Sequence, residues 1–284
     1  MPRLTPHLRF SVLALLVLLA TLAAHATKAE AAESDSARDF AAASAALKRG
    51  AYTEAIDTLE LLADRGFVHP DASFNRAVAY VERARSSAAA PGDLGRAAAA
   101  LSEVLELRPN DDEAELGLAR IRAEISRRHS REGIAPVMAR PSLSRAATSL
   151  FDENVWAGIA LAGSLLLTLG LALRRFVQGT SAALAGAIGI GFGAVLLCGG
   201  AGLAAGARHF RRSSSPAVVV TEEARLLDES GKPLPQKRGA ADSLTVPEGA
   251  TVYVLERRPS FYRVEWGSSE GWVTPGQVQV LATR

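Results

Sequence analysis

The chain has little of what most enzymes use at a reactive site. Cys198 is the one cysteine among 284 residues, so the chain can form no internal disulfide and no cysteine pair for a metal. No glycine-rich phosphate loop, nucleophile elbow or HExxH motif occurs. The five histidines are scattered without a partner at metal-ligand spacing: His7, His25, His69, His129 and His209. The sequence therefore predicts no enzyme, no catalytic residue, no metal and no cofactor.

The chain also lacks a strong charge of either sign. Its 32 basic and 30 acidic residues leave a net charge of +2. The basic residues gather beside apolar runs, at Arg174 and Arg175 and again at Arg208, Arg211 and Arg212. This placement is typical of segments that flank a membrane, and it argues against a nucleic-acid partner.

Two long apolar runs, at 154–174 and 180–207, carry no internal charge and are joined by a short basic turn. Each has about 20 residues or more, enough for a helix to cross a hydrocarbon core of about 30 Å. They predict a two-helix transmembrane hairpin in contact with membrane lipid. A hairpin returns the chain to its starting side, so the two flanks must share one compartment.

Small residues recur within the second run. The spacings from Gly189 to Gly193 and from Gly202 to Gly206 suit close packing of membrane helices. The alternative is that they reflect only the ordinary composition of such helices.

Residues 1–26 have the pattern of a secretory signal peptide, with a basic start, an apolar stretch and small residues at the end. The alternative is an uncleaved anchor helix. Either places both flanks outside the cytoplasm, which predicts a bacterial inner-membrane protein with both soluble domains in the periplasm. Arg174 and Arg175 agree with a cytoplasmic turn, whereas the arginines after the second run do not. We expect the signal peptide to set the membrane orientation, because the first segment usually dominates it.

Residues 36–126 are rich in alanine, leucine, glutamate and arginine, with apolar residues at helical spacing. Within them, 49–62 and 91–111 resemble each other, and both resemble the turn and second helix of a tetratricopeptide repeat. The matching positions are Gly50, Tyr52, Ala55, Ile56 and Leu59 in the first copy and Gly92, Leu94, Ala97, Ala98, Leu101 and Pro109 in the second. An all-α helical repeat domain is expected here, followed by a linker at 127–153.

Tetratricopeptide arrays usually bind peptides or partner proteins in a concave groove lined by their first helices. The resemblance places these residues at or beside that groove: Phe40, Phe74, Asn75, Arg76, Val78, Val81, Leu116 and Arg120. The alternative for the apolar ones, favoured for Phe40 and Phe74, is that they belong to the core. Arg120 has the further alternative of being simply solvated.

After the basic cluster the pattern changes to short alternating strands separated by proline, glycine and serine. Five strands are expected, in AVVV, TVYVLER, FYRVEW, EGWVT and QVQVL. Residues 216–284 resemble a bacterial SH3 domain, a small all-β barrel. The resemblance is carried by Gly249, the pair Phe261 and Tyr262, the run from Gly271 to Val273, and Pro275.

Three aromatic residues of this region are candidates for a partner-binding surface: Tyr253, Phe261 and Trp272. Packing competes with function here, because a small barrel needs bulky side chains to have a core. The core interpretation is favoured for Trp266. The acidic and aromatic signature of polyproline-binding SH3 domains is missing, so a PxxP ligand is not expected.

This order of segments resembles the BatE-like proteins of the Bacteroides aerotolerance (Bat) system. The resemblance implies a multidomain membrane protein that acts as a non-enzymatic adaptor for protein-protein interaction. Its implied partners are von Willebrand A-domain membrane proteins and a MoxR-type ATPase, in a complex that supports envelope integrity or oxidative-stress tolerance. The alternative is a cell-wall anchor that binds peptidoglycan and recruits wall enzymes. A hydrolase with an unrecognised arrangement of catalytic groups is the third hypothesis.

Overall fold

The computed structural model describes residues 34–131, 143–148, 150–177, 179–235 and 243–282. The predicted signal peptide lies outside the described residues, as does 132–142 of the predicted linker. The chain divides into two compact units, with the boundary between Ile121 and Arg122. We call them the helical unit, which ends at Ile121, and the hairpin-sheet unit, which begins at Arg122.

The described residues of the helical unit form four helices and the start of a fifth. They are α1 (34–48), α2 (Tyr52–Asp64), α3 (Pro70–Arg85), α4 (Asp93–Leu107) and α5 (Asp112–Arg131), of which the last crosses the boundary. The helical character predicted for this flank is confirmed. Gly50 and Gly92 stand just before α2 and α4 with φ angles of 79° and 80°. This left-handed conformation favours glycine, because it carries no Cβ atom.

Helix α4 is the central helix of this unit. Its run from Ala97 to Ala100 is fully buried, so every face of the helix is covered at that level. A second group of core residues joins α1, α2 and α3, where Leu59 and Leu62 pack with Ala43 and Ala72. Small alanines allow these helices to approach closely, which explains how an alanine-rich sequence forms a core.

The hairpin-sheet unit contains a short helix and two long ones. They are α6 (Leu143–Thr148), α7 (Glu153–Phe176) and α8 (Thr180–Ser213). By length and composition α7 and α8 are able to cross a membrane, with mean hydropathies of 2.0 and 1.9 over their most apolar windows. Helix α8 continues six residues beyond the predicted end at 207. Helix α6 lies where the sequence analysis expected only linker.

Helices α7 and α8 pack through glycines at every seventh position. The buried positions are Trp156, Gly163 and Gly170 on α7 and Gly186, Gly193 and Gly200 on α8. A Cβ atom on any of these five glycines would lie within 3.0 Å of the backbone of the other helix. Of the expected small-residue spacings, Gly193 belongs to this interface, whereas a Cβ on Gly202 would meet open space. The close approach therefore follows a seven-residue spacing.

Within the described residues after Ser214, seven strands follow α8. They are β1 (Ser215–Val219), β2 (Glu223–Arg225), β3 (Thr245–Pro247), β4 (Thr251–Arg257), β5 (Tyr262–Trp266), β6 (Ser269–Val273) and β7 (Val278–Val280). Five of them form an antiparallel sheet in the order β6-β5-β4-β1-β7, and β2 pairs with β3. All five predicted strands belong to the larger sheet. Strands β2 and β3 were not predicted, because they have only three residues each and therefore show little alternation.

The core of the sheet region is built from valines and one tryptophan. Val252, Val254 and Val264 are buried with Trp266, in the core position that the sequence favoured. Gly271 lies where a Cβ atom would come within 2.9 Å of Leu226 and Leu234. Glycine at this strand position therefore lets the segment that follows β2 pack against β6.

Candidate functional site

The helical unit contains a cavity of about 550 Å³ between α3 and α5, with Leu101 of α4 also in its lining. Four side chains of α3 form one apolar wall: Phe74, Ala77, Val78 and Val81. They recur at three- and four-residue steps, which places them on a single face of the helix. The opposite wall comes from α5 and includes Leu116, Gly117 and Ile121.

Gly117 sets how closely α5 approaches α4. A Cβ atom on Gly117 would lie 3.0 Å from Cδ1 of Leu101, closer than most real Cβ contacts. A larger residue would displace either Leu101 or α5. Because both residues line the cavity, its width depends on this glycine.

Charged side chains of both signs complete the lining. Glu82, Asp112 and Glu113 are acidic, and Arg85 and Arg120 are basic. Arg85 Nη1 lies 3.4 Å from Glu82 Oε1, so part of the charge is neutralised within the wall. The cavity thus combines apolar side chains with charges of both signs, which suits a ligand that is itself amphipathic.

A buried polar network stands behind the α3 wall. Arg76 is only 3% exposed, and its Nη2 donates a hydrogen bond to Glu103 Oε1 at 3.1 Å, while its Nη1 lies 3.6 Å from Glu60 Oε2. Ser73 also donates to Glu103 Oε1, at 2.5 Å. Tyr80 donates to Glu60 at 2.9 Å, and burial together with the negative charge of Glu60 raises the pKa of its phenol. The network joins α3 to α2 and α4 and so holds the wall in place.

A second buried ion pair closes the loop between α3 and α4. Arg83 donates to both carboxylate oxygens of Asp93, at 2.6 and 3.1 Å, and the Asp93 side chain is almost wholly buried. Asp93 also accepts the backbone N–H of Ala90 at 2.9 Å. The hydrogen bonds that Arg83 donates to Asp93 raise the pKa of Arg83, which keeps the guanidinium charged. The loop between α3 and α4 is therefore tied to the end of α3.

The cavity brings together five of the groove residues expected from the sequence: Phe74, Val78, Val81, Leu116 and Arg120. Three others lie elsewhere, and one of them, Arg76, belongs to the buried network behind the α3 wall. Phe40 packs against the core cluster of α1, α2 and α3. Asn75 Nδ2 donates a hydrogen bond to Ser44 Oγ at 3.2 Å, which ties α3 to α1.

The three aromatic candidates of the sheet lie in different surroundings. Phe261 is exposed, at 37% of its maximum, whereas Trp272 is buried and carries the Arg258 guanidinium 4.2 Å from its ring centroid. Tyr253 lies on β4, where the guanidinium of Arg145 covers its ring. The structure therefore does not bring the three rings together as one exposed surface.

Sequence reasoning missed two groups. Asp112 and Glu113 in the cavity lining carried no signal, because acidic residues in the first turn of a helix are common for reasons of helix stability. Arg145 lies in the expected linker, where nothing marked it. Among the described residues, no group of three or more histidine, cysteine, aspartate or glutamate side chains is placed to hold a metal ion.

In comparisons with protein-family models, curated proteins and solved structures, nothing matches this chain. The family resemblances therefore rest on the residues and motifs of the sequence alone.

Proposed function

We propose that the protein is a non-enzymatic adaptor of the bacterial inner membrane, and that its helical unit binds a segment of a partner protein in the cavity between α3 and α5. One observation carries this proposal. Phe74, Val78 and Val81 of α3 meet Leu116 and Arg120 of α5 in a single cavity, although the two helices are well separated in sequence.

The cavity suits a peptide better than a small polar metabolite. Its volume of about 550 Å³ accommodates a few side chains, and its walls are mainly apolar. Leu116 remains 58% exposed in the free protein, so covering it would remove apolar surface from water. Acidic and basic side chains in the same lining would pair with charges beside the bound apolar residues. The proposed occupant is therefore an amphipathic segment with apolar anchors and flanking charges.

We further infer that α1–α5 form a short tetratricopeptide array and that the sheet is a bacterial SH3 module. The positive φ angles of Gly50 and Gly92 support the first inference, because both stand at the turn position of the repeat. The five antiparallel strands and the tightly surrounded Gly271 support the second. The sheet would serve as a second interaction module.

The hairpin would anchor both modules in the membrane, with both facing the periplasm. The order of segments supports a place in a Bat-type envelope or oxidative-stress complex. Von Willebrand A-domain membrane proteins and a MoxR-type ATPase are the partner classes that this resemblance implies.

Site-specific photocrosslinking in cells tests the groove. A photoreactive amino acid replaces Leu116 in the cavity or, as the matched control, Leu61, which is 47% exposed on α2 and does not line the cavity. We expect a discrete crosslinked partner from position 116 and none from position 61. Val78→Glu and Arg120→Glu should weaken the crosslink from position 116. Equal crosslinking from both positions, or a crosslink insensitive to both substitutions, would contradict the proposal.

The exposed Phe261 ring favours one alternative function, a cell-wall anchor. Aromatic rings on a protein surface stack against sugars, and Phe261 is the exposed large apolar residue among the described residues of the sheet. Under this alternative the sheet would bind peptidoglycan and the helical unit would recruit wall enzymes.

A further inference from the structure

Arg145 of α6 lies in a closely fitted site within the hairpin-sheet unit. Its guanidinium carbon is 3.7 Å from the ring centroid of Tyr253 on β4 and 4.7 Å from that of Phe210 on α8. Its Nη2 donates to Glu265 Oε2 at 2.5 Å, and its Nε donates to Oε1 at 3.4 Å. Arg145 is only 7% exposed.

These contacts select a guanidinium group over an ammonium group. The guanidinium is planar, so it can offer its faces to aromatic rings while its edge donates two parallel hydrogen bonds to one carboxylate. An ammonium group is a compact point charge and cannot satisfy the two requirements at once. The arrangement is therefore specific for an arginine side chain or a molecule like it.

The groups that surround Arg145 belong to one continuous scaffold. Tyr253 and Glu265 are direct cross-strand partners of β4 and β5. Phe210 lies near the end of α8, and only Ser214 separates α8 from β1, whose Pro216 pairs with Tyr253. Arg145, in contrast, belongs to α6, a helix of only six residues. The groups that bind the guanidinium are therefore supplied by elements other than the helix that carries Arg145.

We propose that Phe210, Tyr253 and Glu265 form a guanidinium-binding site that Arg145 occupies in cis, and that an arginine side chain of another polypeptide binds there when α6 moves away. Arg145 thus holds α6 against the sheet and covers one face of the Tyr253 ring. This site is separate from the cavity between α3 and α5, so the two proposals can fail independently.

Methylguanidinium is the probe, and the full chain in detergent micelles is the sample. Tyr253 is replaced by 3-fluorotyrosine, whose fluorine resonance reports on the ring face. In Arg145→Ala we expect a saturable shift with methylguanidinium and at least about tenfold weaker binding of methylammonium. The wild-type chain should show no saturable shift, because Arg145 already fills the site.

Glu265→Gln and Glu270→Gln give a matched pair in the Arg145→Ala background. Glu270 is the cross-strand neighbour of Glu265 on β6, but its carboxylate pairs with Arg263 on the surface. Glu265→Gln should abolish the saturable shift, and Glu270→Gln should leave it intact. Absence of a shift in Arg145→Ala, or equal effects of the two substitutions, would overturn the proposal.

The proposal remains testable if Arg145→Ala does not fold by itself. Recovery of its near-ultraviolet circular dichroism by methylguanidinium and not by methylammonium would then support a guanidinium site. Failure of methylguanidinium to restore the signal, or equal recovery with methylammonium, would overturn it.

Discussion

Gly163 and Gly193 lie against each other where α7 and α8 pack. A Cβ atom on Gly163 would lie 2.8 Å from the carbonyl oxygen of Gly193, and a Cβ on Gly193 would lie 2.8 Å from the carbonyl oxygen of Gly163. The two backbones therefore touch directly. Lipid tails are as apolar as these helices, so such close packing is a main source of association between membrane helices.

Gly193→Ala should destabilise the hairpin, whereas Gly191→Ala should not. The added methyl group at 193 would lie 2.5 Å from the Leu167 nitrogen, and the same group at 191 would meet open space. We expect a loss of about 1–3 kcal/mol for Gly193→Ala, as for other overpacked interiors. Gly191→Ala should be neutral or slightly stabilising, because alanine favours the helix. Denaturation by SDS, followed by circular dichroism, measures both, and similar losses would contradict the packing described here.

Reporter fusions test the proposed topology. Fusions after Ser130 and after Arg284 should have alkaline phosphatase activity and little green fluorescence, because both flanks are proposed to be periplasmic. A fusion in the turn between Arg174 and Thr180 should show the reverse. Arg208, Arg211 and Arg212 favour the opposite orientation, because basic residues beside membrane helices are usually cytoplasmic. The experiment therefore decides between the signal peptide and these arginines. A cytoplasmic result for either flank would overturn the proposed arrangement.

Asp93→Asn should destabilise the loop between α3 and α4. It would leave the Arg83 guanidinium without its carboxylate partner in a mostly buried site, and breaking such pairs costs about 3–5 kcal/mol. Glu54→Gln is the control, since Glu54 pairs with Arg49 on the exposed surface, where a pair contributes about 0–1 kcal/mol. Hydrogen exchange of the full chain should accelerate in α3 and α4 for the first variant only. Unchanged exchange in Asp93→Asn would show that the pair does not hold the loop.

Pelleting with purified peptidoglycan separates the adaptor from the wall anchor. We expect residues 215–284 to stay in the supernatant, because the structure gathers no cluster of exposed aromatic rings among the described residues of the sheet. Trp266→Ala should unfold this fragment, since truncating a buried tryptophan costs about 3–5 kcal/mol. If the fragment pellets and Phe261→Ala abolishes this without unfolding, the wall-anchor function is favoured instead.

The spacing of apolar residues predicted structure correctly where that spacing repeats along one helix or strand. The repeat resemblance placed Phe74, Val78 and Val81 beside one groove, although a core position was favoured for Phe74, and all three line the cavity. The five strands of the larger sheet were recognisable by alternation. Phe40 packs against the core, as favoured from the sequence, but spacing alone could not decide this, since an apolar face can meet either a groove or another helix.

Glycines gave a mixed result. The turn positions of Gly50 and Gly92 could be predicted, because a positive φ angle is a local property of the backbone. The packing glycines could be only partly predicted. Gly193 was expected at the interface, but Gly163 and Gly170 were not singled out, since their role depends on the register of two helices.

The helical flank, the two apolar helices and the five main strands could be predicted without a structure, because local spacing and composition control these features. Three features became clear from the packing alone: which residues share the cavity, which glycines touch across the hairpin, and that Arg145 contacts Tyr253 and Glu265. Each of these joins segments far apart in the chain. Their meeting depends on how helices and strands pack, which local periodicity does not specify.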